Sequence, residues 1–293
     1  MHNFDRIPST GNSELDVELG KARYSFATSR DGTRLHTVTL GDGPLVVLIH
    51  GFPDFWFTWR HQMVALAQAG FAACAFDLRG FNLSDRPSMD DAYRPPFLVD
   101  DVSAVIAASG QEHAAVVGHD WGGFVAWHAA MSLPAVTKLA ALNIPHPDLL
   151  VRAYARDSAQ REAGVYARPF QSEVFETELT PEMLSHWVTD PAARPAYLEA
   201  FGRSNQLVML AYYRVNYPRE PYHDLPDGAL RNVSVPTLMV YGLKDAFLLP
   251  GAIDGTWKIG KAPFRLLTHP EAAHFVHHNA PDLVTRALID WLR

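Results

Sequence analysis

The chain has 293 residues, of which 48% are hydrophobic and 19% are charged, and this length allows one sizeable core with room for an inserted subdomain. Its formal net charge of −7 at pH 7 disfavours nucleic acids and anionic membranes as partners. No apolar run approaches the roughly 20 residues that a membrane span needs, and residues 1–19 do not show the charged and then apolar pattern of a signal peptide, which favours a cytoplasmic protein.

Short apolar segments alternate with helix-length segments along most of the chain. This alternation is typical of a mostly parallel sheet flanked by helices. The chain is predicted to open with a hairpin, whose two strands are joined by Asp31-Gly32. The predicted strands are residues 22–28, 34–40, 45–49, 72–76, 114–117, 138–143, 236–241 and 264–268. The predicted helices are residues 56–69, 99–108, 121–131 and 280–293.

Residues 148–222 interrupt this alternation, because they contain charged, helix-like segments but no convincing buried strand. The strand pattern returns at residue 236. We therefore predict a core domain formed by residues 1–147 and 223–293, with residues 148–222 inserted after the sixth main strand as a helical cap.

Asp120 lies at the centre of the sequence Gly118-His119-Asp120-Trp121-Gly122-Gly123, between a predicted strand and a predicted helix. This is the setting of a nucleophile elbow, whose reactive residue is usually the serine of G-x-S-x-G. A carboxylate is already a nucleophile at neutral pH, and it suits displacement at a saturated carbon. A histidine is then free to activate water against the resulting ester. The substitution therefore points to opening an epoxide or expelling a halide, and not to cleaving an amide.

Four further motifs accompany the elbow in a consistent order. They are His50-Gly51-Phe52-Pro53, the loop Asp77-Leu78-Arg79-Gly80-Phe81-Asn82-Leu83-Ser84-Asp85-Arg86-Pro87, Tyr241-Gly242-Leu243-Lys244-Asp245 and Glu271-Ala272-Ala273-His274-Phe275. With these motifs the chain resembles the α/β-hydrolase family, specifically its epoxide hydrolase branch, from the opening hairpin to the C-terminal helix. The resemblance implies the α/β-hydrolase fold, with a mostly parallel eight-stranded sheet, flanking helices and an inserted helical cap. In the long loop, Asn82 replaces a usual glycine, and asparagine tolerates left-handed backbone angles.

The resemblance also implies a catalytic triad. Asp120 is the nucleophile, Asp245 the charge-relay acid and His274 the general base, in the order that this fold uses. Some relatives carry the acid after the sixth strand instead, but Asn143 at that place cannot supply a carboxylate. The backbone N–H groups of Phe52 and Trp121 are the expected oxyanion hole.

Two cap tyrosines supply protons to the opening epoxide in enzymes of this branch. The sequence Leu210-Ala211-Tyr212-Tyr213-Arg214 resembles one tyrosine motif and favours Tyr213 over Tyr212, because the tyrosine precedes arginine. Residues 164–171 resemble the other motif and indicate Tyr166, although Tyr154 lies nearby in sequence. Each of these tyrosines also fits a simple packing role between cap helices.

Other functions of the fold stay open. Haloalkane dehalogenases share the Asp120-Trp121 pair, so Trp121 could face a halide, but they usually carry asparagine where this chain has Phe52. Fluoroacetate dehalogenases place arginines after the nucleophile, and residues 121–124 contain none. A ligand-binding or biosynthetic member of the fold is a third possibility, against which the intact set Asp120, Asp245 and His274 argues.

The expected partners are a small-molecule epoxide and water. Phe52, Trp121 and Trp187 are the candidate substrate contacts, and an apolar or aromatic epoxide is expected if several of the aromatic residues of segment 52–59 also face the cleft. The alternative is that Trp56 and Trp59 only pack a helix onto the sheet. No cofactor or metal is expected, since no ligand spacing for zinc is present. The oligomeric state, monomer or homodimer, is left open.

Overall fold

The computed structural model describes residues 7–172 and 179–293. Within these ranges, eight strands form one sheet in the order β1-β2-β4-β3-β5-β6-β7-β8. The strands are β1 Arg23–Thr28, β2 Arg34–Leu40, β3 Leu45–Ile49, β4 Ala72–Phe76, β5 Ala114–His119, β6 Val136–Leu142, β7 Thr237–Gly242 and β8 Phe264–His269. The eight-stranded sheet predicted from the sequence is therefore confirmed, with strand ends that differ by up to two residues.

The sheet is mostly parallel. β2 pairs antiparallel with β1 and with β4, and the other neighbours pair in parallel. The central strands β3, β4 and β5 are buried at every position, as expected for parallel strands that are covered on both faces. Ile49 pairs with Phe76 on one side and with Gly118 on the other. The carboxyl ends of these strands therefore meet at one edge of the sheet, where Asp120 also lies.

The helices differ from the prediction at three places. Residues 56–69 form a 3₁₀ helix, Trp56–Trp59, followed by α2, Arg60–Gln68, and not one continuous helix. α3 is Pro95–Ala108 and begins earlier than the predicted residue 99, because proline is well tolerated in the first turn of a helix. The predicted helix 280–293 is preceded by a separate short helix, Val276–Asn279. The prediction of a helix at residues 121–131 is confirmed.

The remaining helices complete the described chain. They are α1 Ser13–Leu19, α4 Trp121–Ser132, α5 Pro147–Arg156, α6 Ser158–Ala163, α7 Pro181–Leu184, α8 Arg194–Arg203, α9 Gln206–Met209, α10 Ala211–Asn216, α11 Thr256–Ile259, α12 Val276–Asn279 and α13 Pro281–Leu292. Short 3₁₀ helices occur at Asp90–Tyr93, Val165–Ala167, Pro169–Gln171, Asp227–Ala229 and Pro250–Ile253. None of the described helices is both long and apolar enough to span a bilayer.

Helices α5 to α10 lie between β6 and β7 in the chain, where the cap is predicted. The loop after β4 contacts this helical segment directly. The backbone N–H of Asn82, a residue with a φ of 41°, donates to the Ser204 hydroxyl on the cap side at 2.9 Å. Tyr212 donates its hydroxyl proton to the Arg79 carbonyl at 3.1 Å. The division into core and cap at residues 147 and 223 stays a prediction.

Candidate active site

Asp120 lies in the tight turn between β5 and α4, with φ 52° and ψ −123°. A residue other than glycine adopts a positive φ only where its surroundings enforce it. The surroundings here are crowded, because a Cβ at Gly118 would collide with the Gly122 carbonyl, and a Cβ at Gly122 would collide with the Ile49 carbonyl. The flanking glycines therefore let the chain pass close to β3 while the Asp120 side chain is presented at the end of the sheet.

The structure brings together the three residues of the predicted triad. The His274 Nε2 atom lies 3.4 Å from Asp120 Oδ2, and His274 Nδ1 lies 2.8 Å from Asp245 Oδ2. Asp120 follows β5, Asp245 follows β7, and His274 follows β8. All three side chains are buried, and the imidazole is placed between the two carboxyl groups.

Asp245 is held by hydrogen bonds from both sides. Its Oδ1 atom accepts the backbone N–H groups of Phe247 and Leu248 at 2.9 and 3.0 Å. Its Oδ2 atom accepts the Asn143 amide at 2.8 Å, and the Asn143 Oδ1 atom accepts the Gly242 N–H at 2.9 Å. Sequence reasoning missed this orienting role of Asn143, although the position was already marked as the alternative place for the acid.

The three charges of the triad stabilise one another. Burial raises the pKa of Asp120 and Asp245, but hydrogen bonding and charge attraction from His274 prevail and leave both pKa values below the ordinary one. Burial lowers the pKa of His274, yet Asp245 and Asp120 together raise it to about 10. At neutral pH the resting site therefore holds an imidazolium between two carboxylates, so that Asp120 is ionised and able to act as a nucleophile.

One of the two predicted oxyanion donors contacts the Asp120 side chain directly. The Phe52 backbone N–H donates to Asp120 Oδ1 at 2.8 Å. Trp121 is the first residue of α4, so its N–H belongs to the first helical turn, whose N–H groups have no partner within the helix. An oxyanion formed at the Asp120 carboxyl carbon would therefore lie next to the Phe52 N–H, and the Trp121 N–H stays the predicted second donor.

Tyr213, on α10, and Tyr166, in the 3₁₀ helix Val165–Ala167, face the same space as Asp120. Their ring centroids are 6.4 Å apart, and burial raises the pKa of both hydroxyls well above the ordinary value. Both therefore stay protonated and can donate. The alternatives are engaged elsewhere, since Tyr212 bonds to the Arg79 carbonyl and the Tyr154 hydroxyl bonds to that of Tyr217.

Two cavities meet at Asp120, Tyr166 and Tyr213, which line both of them. The larger has a volume of about 700 Å³ and the smaller about 290 Å³. Most of the wall of the larger cavity is aromatic or aliphatic. Its apolar lining includes Phe52, Pro53, Phe170, Leu179, Met183, Leu184, Trp187, Ala246, Phe247, Ala273 and Phe275. A substrate centred on Asp120 can thus extend in two directions.

The predicted substrate contacts divide between these cavities. Phe52 and Trp187 line the larger one, and Trp121 lines the smaller. Trp187 is held by a hydrogen bond from its Nε1 to the Pro53 carbonyl at 3.2 Å. Its ring also stacks on that of Phe275, with the ring centroids 3.8 Å apart. Of the other aromatic residues in segment 52–59, none lines either cavity. They are Phe55, Trp56, Phe57 and Trp59, and all four are buried.

The chain has clear similarity to known proteins. A family model described as the alpha/beta hydrolase fold matches residues 44–281. The chain is 34% identical to AB hydrolase superfamily protein YfhM of Bacillus subtilis (strain 168), over 90% of this chain and 96% of that protein. It is 31% identical to epoxide hydrolase 3 of Xenopus tropicalis, over 92% of this chain and 78% of that protein.

Solved structures are similar over the same extent. The structure of Bacillus megaterium epoxide hydrolase in complex with an inhibitor superposes with a TM-score of 0.80 at 29% sequence identity, covering 92% of this chain and 99% of that chain. The match therefore extends over nearly the whole chain.

Proposed function

Because the chain belongs to the α/β-hydrolase family, in its epoxide hydrolase branch, we propose that it hydrolyses an epoxide to a vicinal diol through a covalent ester on Asp120. The observation that carries the proposal is the grouping of a carboxylate nucleophile, Asp120, with two buried phenols, Tyr166 and Tyr213, around one space. A carboxylate alone serves several displacements, whereas two proton donors opposite it suit a leaving group that departs as an alkoxide.

In the first step, a carboxylate oxygen of Asp120 attacks a ring carbon and the carbon–oxygen bond of the epoxide breaks. The departing oxygen takes a proton from one of the two tyrosines and a hydrogen bond from the other. Esterification removes the negative charge of Asp120, and with it one of the two interactions that retain the proton on His274. The imidazolium then returns a proton to the tyrosinate through solvent and becomes neutral.

In the second step, His274 takes a proton from water, and the hydroxide attacks the carbonyl carbon of the ester. Asp245 holds the imidazole through Nδ1 and stabilises its charge, while the N–H groups of Phe52 and Trp121 stabilise the oxyanion. Collapse of the tetrahedral intermediate expels the second alkoxide, which takes the proton from His274. The products are the diol and a neutral Asp120 carboxyl, which reionises to restore the resting pair with His274.

The cavities support a substrate class. The apolar wall of the larger cavity fits an aromatic or bulky aliphatic substituent, because burial of apolar surface is the main source of affinity in such a site. Its volume of about 700 Å³ exceeds what an aromatic ring fills. We therefore propose an epoxide with at least one such substituent as the small-molecule partner.

Halide displacement is the second candidate, and one observation favours it. The Trp121 Nε1 atom is buried without a hydrogen-bond partner among the described residues, and such an N–H could solvate a departing halide. A second halide donor is not provided by Phe52, whose side chain is a hydrocarbon. Tyrosine donors beside Asp120 are better explained by an alkoxide than by a halide.

A parallel assay of the purified protein on styrene oxide and on a matched 1-haloalkane tests the proposal. Diol formation without halide release is the expected result. Halide release with the epoxide untouched would assign Trp121 to a halide site and reduce Tyr166 and Tyr213 to packing roles.

A further inference from the structure

Two further tyrosines lie next to the expected proton donors Tyr166 and Tyr213. Tyr217 directly follows α10 and lines the smaller cavity, as both donors do. Its ring centroid is 5.5 Å from that of Tyr213 and 6.4 Å from that of Tyr166. Tyr154 lies on α5, and both it and Tyr217 are buried. The proposed reaction assigns no role to either of them.

The Tyr154 and Tyr217 hydroxyl groups form a hydrogen bond, with their oxygen atoms 2.5 Å apart. Each hydroxyl has one proton, and one of the two protons is used in this bond. If Tyr217 donated, the buried Tyr154 proton would need another acceptor. Gln160 lies beside the Tyr154 hydroxyl, but its Oε1 atom already accepts the Leu249 N–H and its Nε2 atom donates to the Phe247 carbonyl. Tyr217, in contrast, borders the cavity, so the favoured arrangement is that Tyr154 donates to Tyr217.

The Tyr154 hydroxyl also contacts the segment that carries Tyr166. Gly164 directly precedes the 3₁₀ helix Val165–Ala167, and a Cβ atom at Gly164 would lie only 1.8 Å from the Tyr154 hydroxyl oxygen. Any side chain at this position would displace the hydroxyl group. The close approach therefore fixes the Tyr154 hydroxyl relative to the backbone beside Tyr166.

Tyr217 then has its own proton available for Tyr166. Burial raises the pKa of Tyr166 most strongly, whereas hydrogen bonding with Tyr217 lowers it. A hydrogen bond lowers the pKa of a phenol when it is donated to the phenol oxygen, because it then stabilises the phenolate. With its oxygen accepting from Tyr217, Tyr166 can direct its own proton into the space that it lines together with Asp120.

We propose that Tyr217 is a positioning residue for epoxide opening, which donates a hydrogen bond to the Tyr166 oxygen and is itself held by Tyr154. This inference deepens the proposed function and rests on it. A chain of three hydroxyl groups, from Tyr154 through Tyr217 to Tyr166, then ends at the epoxide oxygen.

The chain acts when the ring opens. As an Asp120 oxygen forms its bond to carbon, the carbon–oxygen bond of the ring breaks and the departing oxygen takes a proton from the pair of Tyr166 and Tyr213. This transfer leaves one negative charge on the tyrosine pair, while Tyr217 and Tyr154 keep their protons. Hydrogen bonds to a charged acceptor are roughly twice as strong as neutral ones, so the bond from Tyr217 stabilises the transition state more than the bound substrate.

Single-turnover kinetics of Tyr217→Phe on styrene oxide tests the inference, with ester formation measured by mass spectrometry of the Asp120 peptide after rapid quenching. Ester formation should slow by roughly 10-fold or more, the usual effect of losing a hydrogen bond to a charged group. Tyr222→Phe is the matched control, because the Tyr222 ring packs against Tyr154 at 5.4 Å outside both cavities, and it should form the ester at the wild-type rate.

Two readouts separate this role from packing. The slowing should be smaller for 1,1,1-trifluoro-2,3-epoxypropane than for 1,2-epoxypropane, because the trifluoromethyl group itself stabilises the departing alkoxide. Tyr154→Phe should slow ester formation less than Tyr217→Phe, and the double variant should be no slower than Tyr217→Phe alone, because Tyr154 acts through Tyr217. Equal slowing for both epoxides would overturn the inference, since a packing defect does not depend on the leaving group.

Unchanged ester formation in Tyr217→Phe, beside normal ester formation in the wild type, would overturn this inference alone. If circular dichroism shows that Tyr217→Phe does not fold, Tyr154→Phe provides the test, and a wild-type rate in that variant would overturn the inference. Absence of any ester on Asp120 in the wild-type protein would overturn the proposed function and this inference with it.

Discussion

At the scale of single residues, the identity of residue 120 and the neighbours of its carboxylate set the chemistry. Asp120 is ionised beside an imidazolium, and one of its oxygens accepts the Phe52 N–H. In the proposed mechanism, His274 activates the water that hydrolyses the ester on Asp120, so the two halves of the reaction depend on different side chains. Removing one of them should stop the reaction at a defined stage.

His274→Gln should allow alkylation and block hydrolysis, because glutamine can still hydrogen-bond but cannot take a proton from water. The alkyl ester should accumulate and appear as an added substrate mass on the peptide that contains Asp120, in mass spectrometry after rapid quenching. The same experiment on Asp120→Ala should give no adduct. A mass shift on a different peptide would contradict the assignment of the nucleophile.

Tyr213→Phe should slow epoxide opening by about 10²-fold or more, the usual contribution of a positioned general acid, with little change in substrate binding. Single-turnover kinetics, measured over substrate concentrations that reach saturation, separates the rate of epoxide opening from the affinity for the substrate. Tyr212→Phe is the matched control, because its hydroxyl bonds to the Arg79 carbonyl and its loss should cost about 1 kcal/mol of stability without slowing the reaction. Full epoxide activity in Tyr213→Phe would remove Tyr213 from the mechanism.

The sequence was sufficient to predict single site residues where a motif marks the position, as it does for Asp120, Asp245 and His274. It could not assign Asn143, because an asparagine at the end of a strand has many uses. Only the fold shows that the Asn143 amide and the His274 ring share the same oxygen of Asp245.

At the scale of secondary-structure elements, the turn between β5 and α4 is the most constrained segment of the site. Gly122 lies against the carbonyl groups of Ile49 and His50, so that β3 and α4 approach more closely than any side chain would allow. This contact fixes α4, and hence the N–H of Trp121, relative to the His50-Gly51-Phe52 segment.

Gly122→Ala should therefore destabilise the protein by at least about 1–3 kcal/mol, the usual cost of overpacking a rigid site. Gly202→Ala is the matched control, because Gly202 lies in α8 with open space around it, where alanine is favoured over glycine by about 0.8–1.0 kcal/mol. Denaturant unfolding followed by circular dichroism measures both. Equal stability of the Gly122 variant and the wild type would show that the turn has more space than the structure indicates.

The strands were predictable because each is a short buried apolar run between turn residues. The helices were less so at their ends. Helix α3 begins at Pro95 and not at the predicted residue 99, because proline fits the first turn of a helix. The short helix Val276–Asn279 was hidden because its sequence, Val-His-His-Asn, has no helical periodicity.

At the scale of the whole molecule, the helices between β6 and β7 and the ends of the strands together enclose the two cavities. The sequence contains several aromatic residues after β3, but it does not indicate which of them line the cavity beside Asp120. Of the predicted substrate contacts, Phe52 and Trp187 line the larger cavity beside Asp120, while Phe55, Trp56, Phe57 and Trp59 pack elsewhere. Which aromatic residues line the cavity depends on how segments that are distant in sequence pack against one another. No local pattern in a single sequence indicates this.

Trp187→Ala should raise KM for an arene-substituted epoxide several-fold, in line with the 0.5–1.5 kcal/mol that an aromatic contact contributes beyond its buried area. The KM for a small aliphatic epoxide should change less, because such a substrate does not reach the wall formed by Trp187 and Phe275. Steady-state kinetics on both substrates provides the comparison. An equal rise for both would indicate a general disturbance of the site.

The central claim is that Asp120 forms an ester whose carbonyl carbon is attacked by water, and a single turnover in water enriched in oxygen-18 tests it most directly. With protein in excess over epoxide, the account predicts that the diol carries no label and that the label appears in the peptide containing Asp120, because the new oxygen of the diol comes from the carboxylate. Label in the first-turnover diol, with an unlabelled Asp120 peptide, would mean that water attacks the epoxide directly and would contradict the covalent mechanism.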